Sequence, residues 1–216
     1  MGIYEFAGCV VSYEPLYGLL RRRMETYRSD TERQPDITLD GTKEDYEKLR
    51  KQYPHLSIEE CEYSCAGAEF YMKLLKHQGF MIHASAVEKE GKAYLFSAPS
   101  GTGKSTHAQL WRQTFKGEPI RIINDDKPAV CLQNGVFYAC GTPFSGKTDK
   151  NENRKAPIQG LCMLHRGKTN KIQKITSGEA LPLILPQTLF YGDEEETNLL
   201  LSFLDRFLQS VPVYKM

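Results

Sequence analysis

The stretch most able to do chemistry lies at residues 98–105, Ala-Pro-Ser-Gly-Thr-Gly-Lys-Ser. Its two glycines let backbone N–H groups turn towards an anion, and the lysine after them can reach terminal phosphates. The serine that follows can hold Mg²⁺ at the positive end of a helix beginning here. We therefore predict a nucleotide-phosphate site, whose binding residues are Ser100, Gly101, Thr102, Gly103, Lys104, Ser105 and Thr106.

The stretch departs in one place from the consensus phosphate loop G-x-x-x-x-G-K-[S/T], because Ala98 occupies the first glycine position. Alanine disfavours positive φ, so we expect Gly101 to provide the sharp turn instead. The alternative interpretation is an ordinary glycine turn followed by a surface lysine. The apolar strand predicted at 94–96 and the helix-like segment after the loop, with Leu110 and Trp111, favour the phosphate site.

Phosphoryl transfer also requires a carboxylate for a metal ion and a group that deprotonates or positions the acceptor. Asp125 and Asp126, the acidic pair, follow the apolar strand 120–123, where such strands commonly deliver metal ligands. The same pair could instead cap the next turn. His83 lies in the predicted strand 80–87. A functional role is favoured over that of a structural core histidine, because this strand neighbours the one that enters the loop.

The elements that hold these residues predict a mixed sheet. Strands 80–87 and 94–96, joined by a polar turn with Gly91, form a hairpin, unlike the repeated β-α-β units of doubly wound nucleotide-binding folds. Strands 129–132 and 136–139 flank an Asn-Gly turn, which indicates a second hairpin. We therefore expect mixed and antiparallel strands around the phosphate loop.

The pattern predicts further elements on both sides of this region. Residues 66–77 favour a helix that Gly79 stops, and residues 158–164 favour an apolar strand that pairs with 172–175 across the turn 166–168. The last predicted elements are a short helix capped by Ser177 and limited by Pro182 and Pro186, a helix over 198–208, and a strand at 211–216. The sequence stops inside this predicted strand, so we expect the core to be truncated at its C-terminus.

Residues 1–65 are predicted to form a small N-terminal α+β unit, and residues 66–216 a nucleotide-binding core. The predicted elements of the unit are a strand at 4–11, a helix or turn at 16–27, a strand at 36–40 and a helix at 44–53 ended by Pro54. This unit shows no catalytic constellation, so substrate recognition and cover for a sheet edge both stay open as its role.

The composition is typical of a cytoplasmic protein. The 216 residues carry a net charge of +1 and are 40% hydrophobic, which argues against a dedicated nucleic-acid binder. The sequence contains neither an apolar run that could span a bilayer nor a signal peptide, so we expect no membrane partner. Six scattered cysteines are interpreted as structural thiols; Cys61 and Cys65 could supply half of a zinc site, but no second pair completes it.

Taken in order, the motifs resemble the HPr serine kinase/phosphorylase-related kinases, which share a core fold with phosphoenolpyruvate carboxykinases. The matching residues, within 70–216, are His83-Ala-Ser-Ala-Val, Ser97-Ala-Pro-Ser-Gly-Thr-Gly-Lys-Ser-Thr106, Ile123-Asn-Asp-Asp-Lys127, Gly141-Thr-Pro-Phe and Asn153-Arg154. The resemblance implies an α/β (α+β) fold with a mixed β-sheet, phosphoenolpyruvate carboxykinase-like P-loop core. It also implies ATP and Mg²⁺ as cofactors, and a phosphotransferase that acts on a serine-containing peptide, a protein or free serine.

The resemblance also implies residue roles. Asp125 would be the general base with His83 hydrogen-bonded near it, and Asp126 would fix the metal together with Ser105. Arg154 would neutralise transition-state charge, with a solvated loop charge as the alternative. Gly-Thr-Pro-Phe replaces the glycine-rich acidic segment of the bifunctional enzymes, so neither phosphorylase activity nor HPr as the substrate is implied.

Two other functions stay open at this point. One is a catalytically weak nucleotide-binding regulator, for which the short chain leaves room. The other is a carboxykinase-like metabolic enzyme, which is disfavoured because 216 residues is small for it and few basic residues cluster for a dicarboxylic acid. A phosphate loop binds phosphates and not bases, so ATP and GTP are not separated, and a homo-oligomer also stays open.

Overall fold

The computed structural model describes residues 1–115, 117–189 and 193–216. The strands in these ranges are β1 (Gly2–Phe6), β2 (Cys9–Tyr13), β3 (Ile37–Thr38), β4 (Gly79–Met81), β5 (Ala84–Lys89), β6 (Lys92–Ser97), β7 (Arg121–Asn124), β8 (Ala129–Gln133), β9 (Val136–Cys140), β10 (Lys155–Met163), β11 (Gln173–Ile175) and β12 (Val213–Lys215). The helices there are α1 (Gly18–Glu25), α2 (Lys43–Gln52), α3 (Ile58–Leu74), α4 (Lys104–Thr114), α5 (Ser177–Ile184) and α6 (Glu194–Ser210). Short 3-10 turns occupy Leu75–His77, Gly146–Thr148 and Leu185–Gln187. Within these ranges, no helix has the length and apolar character needed to cross a membrane.

The larger sheet is mixed, with the order β4-β8-β9-β10-β6-β5-β7, and β12 and β11 extend it beside β10. β10 runs parallel to β6 and β12, whereas β5 is antiparallel to both of its neighbours, β6 and β7. The β5–β6 and β8–β9 hairpins turn at residue pairs with positive φ, which suits tight two-residue turns. The predicted mixed sheet and both hairpins are confirmed.

The side chains of β6 alternate between two layers. Leu95 belongs to a core shared with α5 and α6, whereas Phe96 lies in the opposite core with Ala108 of α4. A strand covered on both faces requires such an apolar run without polar positions. The burial of β6 therefore fixes where the chain leaves the sheet, at the loop 98–103 between β6 and α4.

The N-terminal residues form a separate sheet in the order β1-β2-β3. The prediction of a single strand at 4–11 is wrong. The chain reverses between β1 and β2 at Ala7 and Gly8, which both have positive φ. Ala-Gly is not a strong turn signal, so the apolar residues on both sides concealed the reversal. The helix or turn predicted at 16–27 is the helix α1, and the helix predicted at 44–53 is confirmed as α2.

Helix α3 joins the N-terminal residues to the rest of the chain. It begins at Ile58, where Ser57 and Glu60 form a capping box, and not near residue 66 as predicted. The predicted boundary between the N-terminal unit and the core, between residues 65 and 66, therefore lies inside this helix. Phe70 of α3 contacts both Phe6 of β1 and Phe144, with ring centroids 4.7 and 5.9 Å apart, so both parts of the chain share one hydrophobic cluster.

The strand predicted at 80–87 is two strands. β4 pairs with β8, whereas β5 pairs with β6 and β7, and His83 lies between them. Ile82 in the same interval forms an isolated bridge with Thr188. A continuous apolar run gives no signal for a change of strand partner, which is why the sequence concealed the break.

Three details near the C-terminus differ from the predictions. β11 pairs with β12, which lies between it and β10, so the predicted pairing of 172–175 with 158–164 is wrong. Thr176 caps α5 and Ser177 is its first residue, because Thr176 and not Ser177 forms the capping box with Glu179. Helix α6 begins at Glu194, earlier than predicted, after an Asp193 cap.

Candidate functional site

One edge of the larger sheet collects most of the predicted site residues. β6, β7 and β10 all run in the same direction, because β10 is parallel to β6 and β5 is antiparallel to both β6 and β7. Their carboxyl ends therefore lie at a single edge, where β5 begins. This places His83, the loop 98–103, the acidic pair and Arg166 at the same edge.

The predicted phosphate loop contains two glycines in the left-handed region. Gly101 has φ +77° and Gly103 has φ +114°, and a Cβ at either position would meet nothing within 4 Å. The requirement for glycine there is thus conformational and not steric. Ala98 is buried and has no positive φ, in agreement with the prediction that Gly101 provides the turn.

Lys104 is the first residue of α4 and its side chain is buried. Its Nζ donates to the Ala98 carbonyl oxygen at 2.9 Å. Burial lowers the pKa of this amine, and the charges of Asp126 and Asp125 oppose that effect. Both carboxylates of the acidic pair are near enough to raise the pKa of this ammonium group, and phosphate oxygens could replace the Ala98 carbonyl as its partner.

The other predicted loop residues are arranged around this amine. Ser105, Thr102 and Gly103 are half-buried, whereas Ser100, Gly101 and Thr106 are exposed. Ser105 lies in the first turn of α4, where free backbone N–H groups and the helix dipole favour anions.

Asn124, the last residue of β7, holds the acidic pair in place. Its Oδ1 accepts from the backbone N–H groups of Asp126 and Lys127 at 2.9 and 2.8 Å. Its Nδ2 donates to the carbonyl and hydroxyl oxygens of Thr142, both at 3.1 Å. The side chain is fully buried, so these bonds fix the turn that carries both carboxylates.

Asp125 receives two hydroxyl groups. Its Oδ1 accepts from Ser85 of β5 at 2.7 Å, and its Oδ2 accepts from Thr148 at 3.0 Å. The residue is only 3% exposed. In this state of the chain, both oxygens of the predicted general base are occupied by neutral donors.

Asp126 receives two basic groups. His83 Nε2 lies 3.3 Å from its Oδ1, and Lys127 Nζ lies 2.5 Å from its Oδ2. Burial raises the pKa of this carboxyl, but the bond to His83 and the charge of Lys127 outweigh it and lower the pKa to about 2. The expected contact of His83 with Asp125 is therefore corrected, since His83 contacts Asp126.

Gln187 orients the His83 ring. Its Oε1 lies 3.2 Å from His83 Nδ1, and its carbonyl oxygen accepts from the His83 backbone N–H at 2.7 Å. With Asp126 on the other ring nitrogen, both nitrogens of the imidazolium form can donate to an oxygen.

The two arginines flanking β10 lie at opposite edges of the sheet. Arg154 precedes β10 and forms an ion pair with Glu88 near the far end of β5, with Nε 2.6 Å from Oε2. Arg166 follows β10, and its Nη2 donates to the Gly101 carbonyl oxygen at 2.7 Å. The structure thus brings Arg166, and not the predicted Arg154, to the phosphate loop.

The segments around Asp126 also line a cavity of about 120 Å³. Residues one or two positions from His83, Asp126 and Gln187 contribute to its wall, so the cavity adjoins this charged cluster. The wall residues are Met81, Lys127, Leu189, Tyr63, Ser64, Gly67, Ala68, Tyr71 and Phe144. A larger cavity, of about 300 Å³, contains Arg154 and the β1–β2 turn.

Three residues at this edge were not predicted from the sequence: Thr148, Arg166 and Gln187. Arg166 could have been found only if β10 had been known to run parallel to β6. Gln187 and Thr148 lie in irregular segments without a residue pattern. In the described part of the chain, no three His, Cys, Asp or Glu residues form a metal-binding cluster.

No protein-family model matches the chain, and no curated protein matches it in sequence. Among solved structures, the chain is similar to the HPr(Ser) kinase/phosphatase from Coxiella burnetii. The two share 12% sequence identity with a TM-score of 0.36, over 63% of this chain and 84% of that chain. A likeness this weak assigns neither an activity nor a residue role, so the proposals below rest on this chain's own side chains.

Proposed function

We propose that the protein is an ATP- and Mg²⁺-dependent phosphotransferase with a phosphoenolpyruvate carboxykinase-like P-loop core. It would transfer the γ-phosphoryl group to a serine hydroxyl of a peptide, a protein or free serine. The observation that carries the proposal is the buried Lys104 amine, which donates to the glycine loop at the same end of the sheet as two adjacent carboxylates. This is the combination that phosphoryl transfer requires.

Two cations would bind the phosphates together with the loop amides. Lys104 would exchange the Ala98 carbonyl for phosphate oxygens. Arg166 would add a second positive charge at the loop, because its exposed guanidinium contacts the Gly101 carbonyl oxygen. Its planar donors suit phosphate oxygens, so it takes the role that the sequence suggested for Arg154.

Ser105 and Asp126 would hold Mg²⁺, which supplies neutralisation of the phosphate charge. Asp126 fits this role because its low pKa keeps it ionised and its Oδ2 already binds a cationic group, the Lys127 ammonium. Mg²⁺ is usually held by one or two carboxylates together with substrate phosphates, so a larger protein ligand set is not required.

Asp125 would accept the proton of the acceptor hydroxyl. Its Oδ2 already accepts from a hydroxyl group at 3.0 Å, which lies within the distance that proton transfer needs.

The cavity beside Asp126 would receive an apolar part of the acceptor. Replacement of Ala68 by Met narrows that cavity and should raise the KM for a peptide acceptor without changing nucleotide affinity.

The test is transfer of label from γ-labelled ATP with Mg²⁺ to free serine, to a pool of serine-containing peptides and to intact proteins, each offered separately. Lys104→Ala should lose both nucleotide binding and transfer, and Asp125→Asn should keep binding and lose transfer. Lys92→Ala is the matched control, because this exposed lysine lies at the opposite end of β6. Full transfer by Lys104→Ala would sink the proposal.

The second candidate function is a nucleotide-binding regulator without transfer. It is favoured by one observation, the burial of Asp125 beneath its own hydroxyl partners. Tight ATP binding with no label on any acceptor would support it. A carboxykinase-like reaction has less support, because the basic groups His83 and Lys127 are bound to Asp126 and not directed at a dicarboxylic acid.

A further inference from the structure

A hydroxyl group of the chain itself contacts Asp125, the proposed general base. Thr148 Oγ1 donates to Asp125 Oδ2 at 3.0 Å, from the 3-10 turn Gly146–Thr148. The residue is exposed, whereas Ser85, the other hydroxyl partner of Asp125, is fully buried in β5. Of these two hydroxyls, Thr148 is therefore the one that a nucleotide could approach from solvent.

Two buried hydroxyl groups near this edge donate elsewhere. Ser97 donates to the His83 carbonyl oxygen at 2.8 Å, and Thr142 donates to the Lys127 carbonyl oxygen at 3.1 Å. Both residues are fully buried. Thr148 thus combines the two properties of an acceptor, contact with the base and exposure.

We propose that Thr148 is a self-phosphorylation site, an inference that rests on the proposed function. The Thr148 oxygen forms a bond to the γ-phosphorus of ATP, the bond from that phosphorus to the β–γ bridging oxygen breaks, and ADP leaves. The hydroxyl proton passes to Asp125, which its hydrogen bond already faces. ATP is the only co-reactant that the step needs.

The surroundings of the turn accommodate a phosphate at this position. Arg23 of α1 binds both sides of the turn, donating to the Gly146 carbonyl oxygen at 2.7 Å and lying 3.1 Å from Asp149 Oδ1. Its guanidinium is thus bound two residues before Thr148 and one residue after it, where a phosphate on Thr148 would be a new partner for the same positive charge. A phosphate on Thr148 repels the Asp125 carboxylate, so modification moves the turn away from the base.

The experiment incubates the purified full chain with Mg²⁺ and ATP, followed by intact-mass measurement and fragment mapping. We expect one added phosphoryl group on Thr148. Thr148→Ala and Lys104→Ala should abolish it, Thr148→Ser should retain it, and Asp125→Asn should slow it by about 100-fold, as removal of a general base does. Thr169→Ala, in an exposed loop, is the matched control and should label like the original chain.

Each other outcome overturns a specific claim. Label on an added serine acceptor with Thr148 unmodified overturns this inference and leaves the proposed function standing. Undiminished label in Thr148→Ala also overturns it, as does a rate constant that rises with protein concentration, because the observed contact is within one chain. If label reaches neither the protein nor any added acceptor, the proposed function fails and this inference fails with it.

Discussion

At the residue scale, the acidic pair shows how neighbours divide the chemistry of identical side chains. Asp125 accepts from two neutral hydroxyls, whereas Asp126 is held by two basic groups, His83 and Lys127. The two basic groups lower the pKa of Asp126. A strongly acidic carboxyl suits a cation, and a carboxylate facing a hydroxyl suits proton transfer.

Asp126 should make stability depend on acid pH. Its pKa is lowered in the folded chain from 3.8 to about 2. The carboxylate therefore stabilises the fold above about pH 4, by about 2 kcal/mol, and this contribution disappears as the pH falls towards about 2. In urea unfolding at about pH 5, the free energy of unfolding should be higher for the original chain than for Asp126→Asn. This difference should decrease as the pH falls towards about 2.

The control for this prediction is Asp30→Asn, at an exposed position. Its unfolding free energy should follow that of the original chain throughout the same pH range. A difference between the original chain and Asp126→Asn that stays constant down to about pH 2 would show that the carboxylate is not held by His83 and Lys127.

Local spacing was enough to predict the turn at residues 98–103, because its two positive-φ glycines and the Lys104 contact with Ala98 lie within a few residues of one another. The same spacing could not decide which carboxylate faces His83. That choice depends on a turn fixed by Asn124, whose partner Thr142 is distant in the sequence. The chemical roles of these residues stay predictions.

At the element scale, the turn after β7 depends on one buried amide. Asn124 satisfies the backbone N–H groups of Asp126 and Lys127, and Thr142 in addition binds the Lys127 carbonyl oxygen. Removal of a buried partner costs more than the bond itself contributes, because the groups left behind stay desolvated. The position of the acidic pair and the stability of the fold are therefore linked.

Asn124→Ala should destabilise the protein by about 3 kcal/mol, since it leaves several buried polar groups without a partner. It should also reduce transfer at temperatures where the variant is still folded, because the carboxylates are no longer fixed. Chemical unfolding and the labelling assay measure the two effects. Asn170→Ala, at an exposed loop position, should change neither, and an Asn124→Ala protein as stable as the original would contradict this account.

Elements with a strong local signal were predictable and those set by long-range pairing were not. The Asn134-Gly135 pair between two apolar runs was enough to predict the β8–β9 hairpin. The direction of β10 relative to β6 was not accessible, because parallel pairing leaves no mark on an apolar run. That direction decides whether Arg154 or Arg166 lies at the phosphate loop.

At the scale of the whole molecule, the N-terminal residues contact the loop beside the acidic pair from outside the larger sheet. Arg23 lies over the Tyr63 ring, 4.8 Å from its centroid, and binds the turn that carries Thr148. Tyr27 donates to Asn151 Oδ1 at 2.5 Å in the same loop. The sequence left the role of residues 1–65 open because such contacts join residues far apart in the chain.

The ion pair of Arg23 and Asp149 should contribute measurable coupling between these two parts. The Arg23 side chain is 9% exposed and the Asp149 side chain 55% exposed, so a double-mutant cycle to alanine should give about 1 kcal/mol, near the upper limit for partly exposed pairs. Hydrogen exchange at residues 146–149 should speed up in Arg23→Ala, because the same side chain also binds the Gly146 carbonyl oxygen. Arg33→Ala is the matched control, since this exposed arginine pairs with Asp36 far from that turn. A coupling near zero with unchanged exchange would show that α1 does not position the turn, and Thr148 would then be held by Asp125 alone.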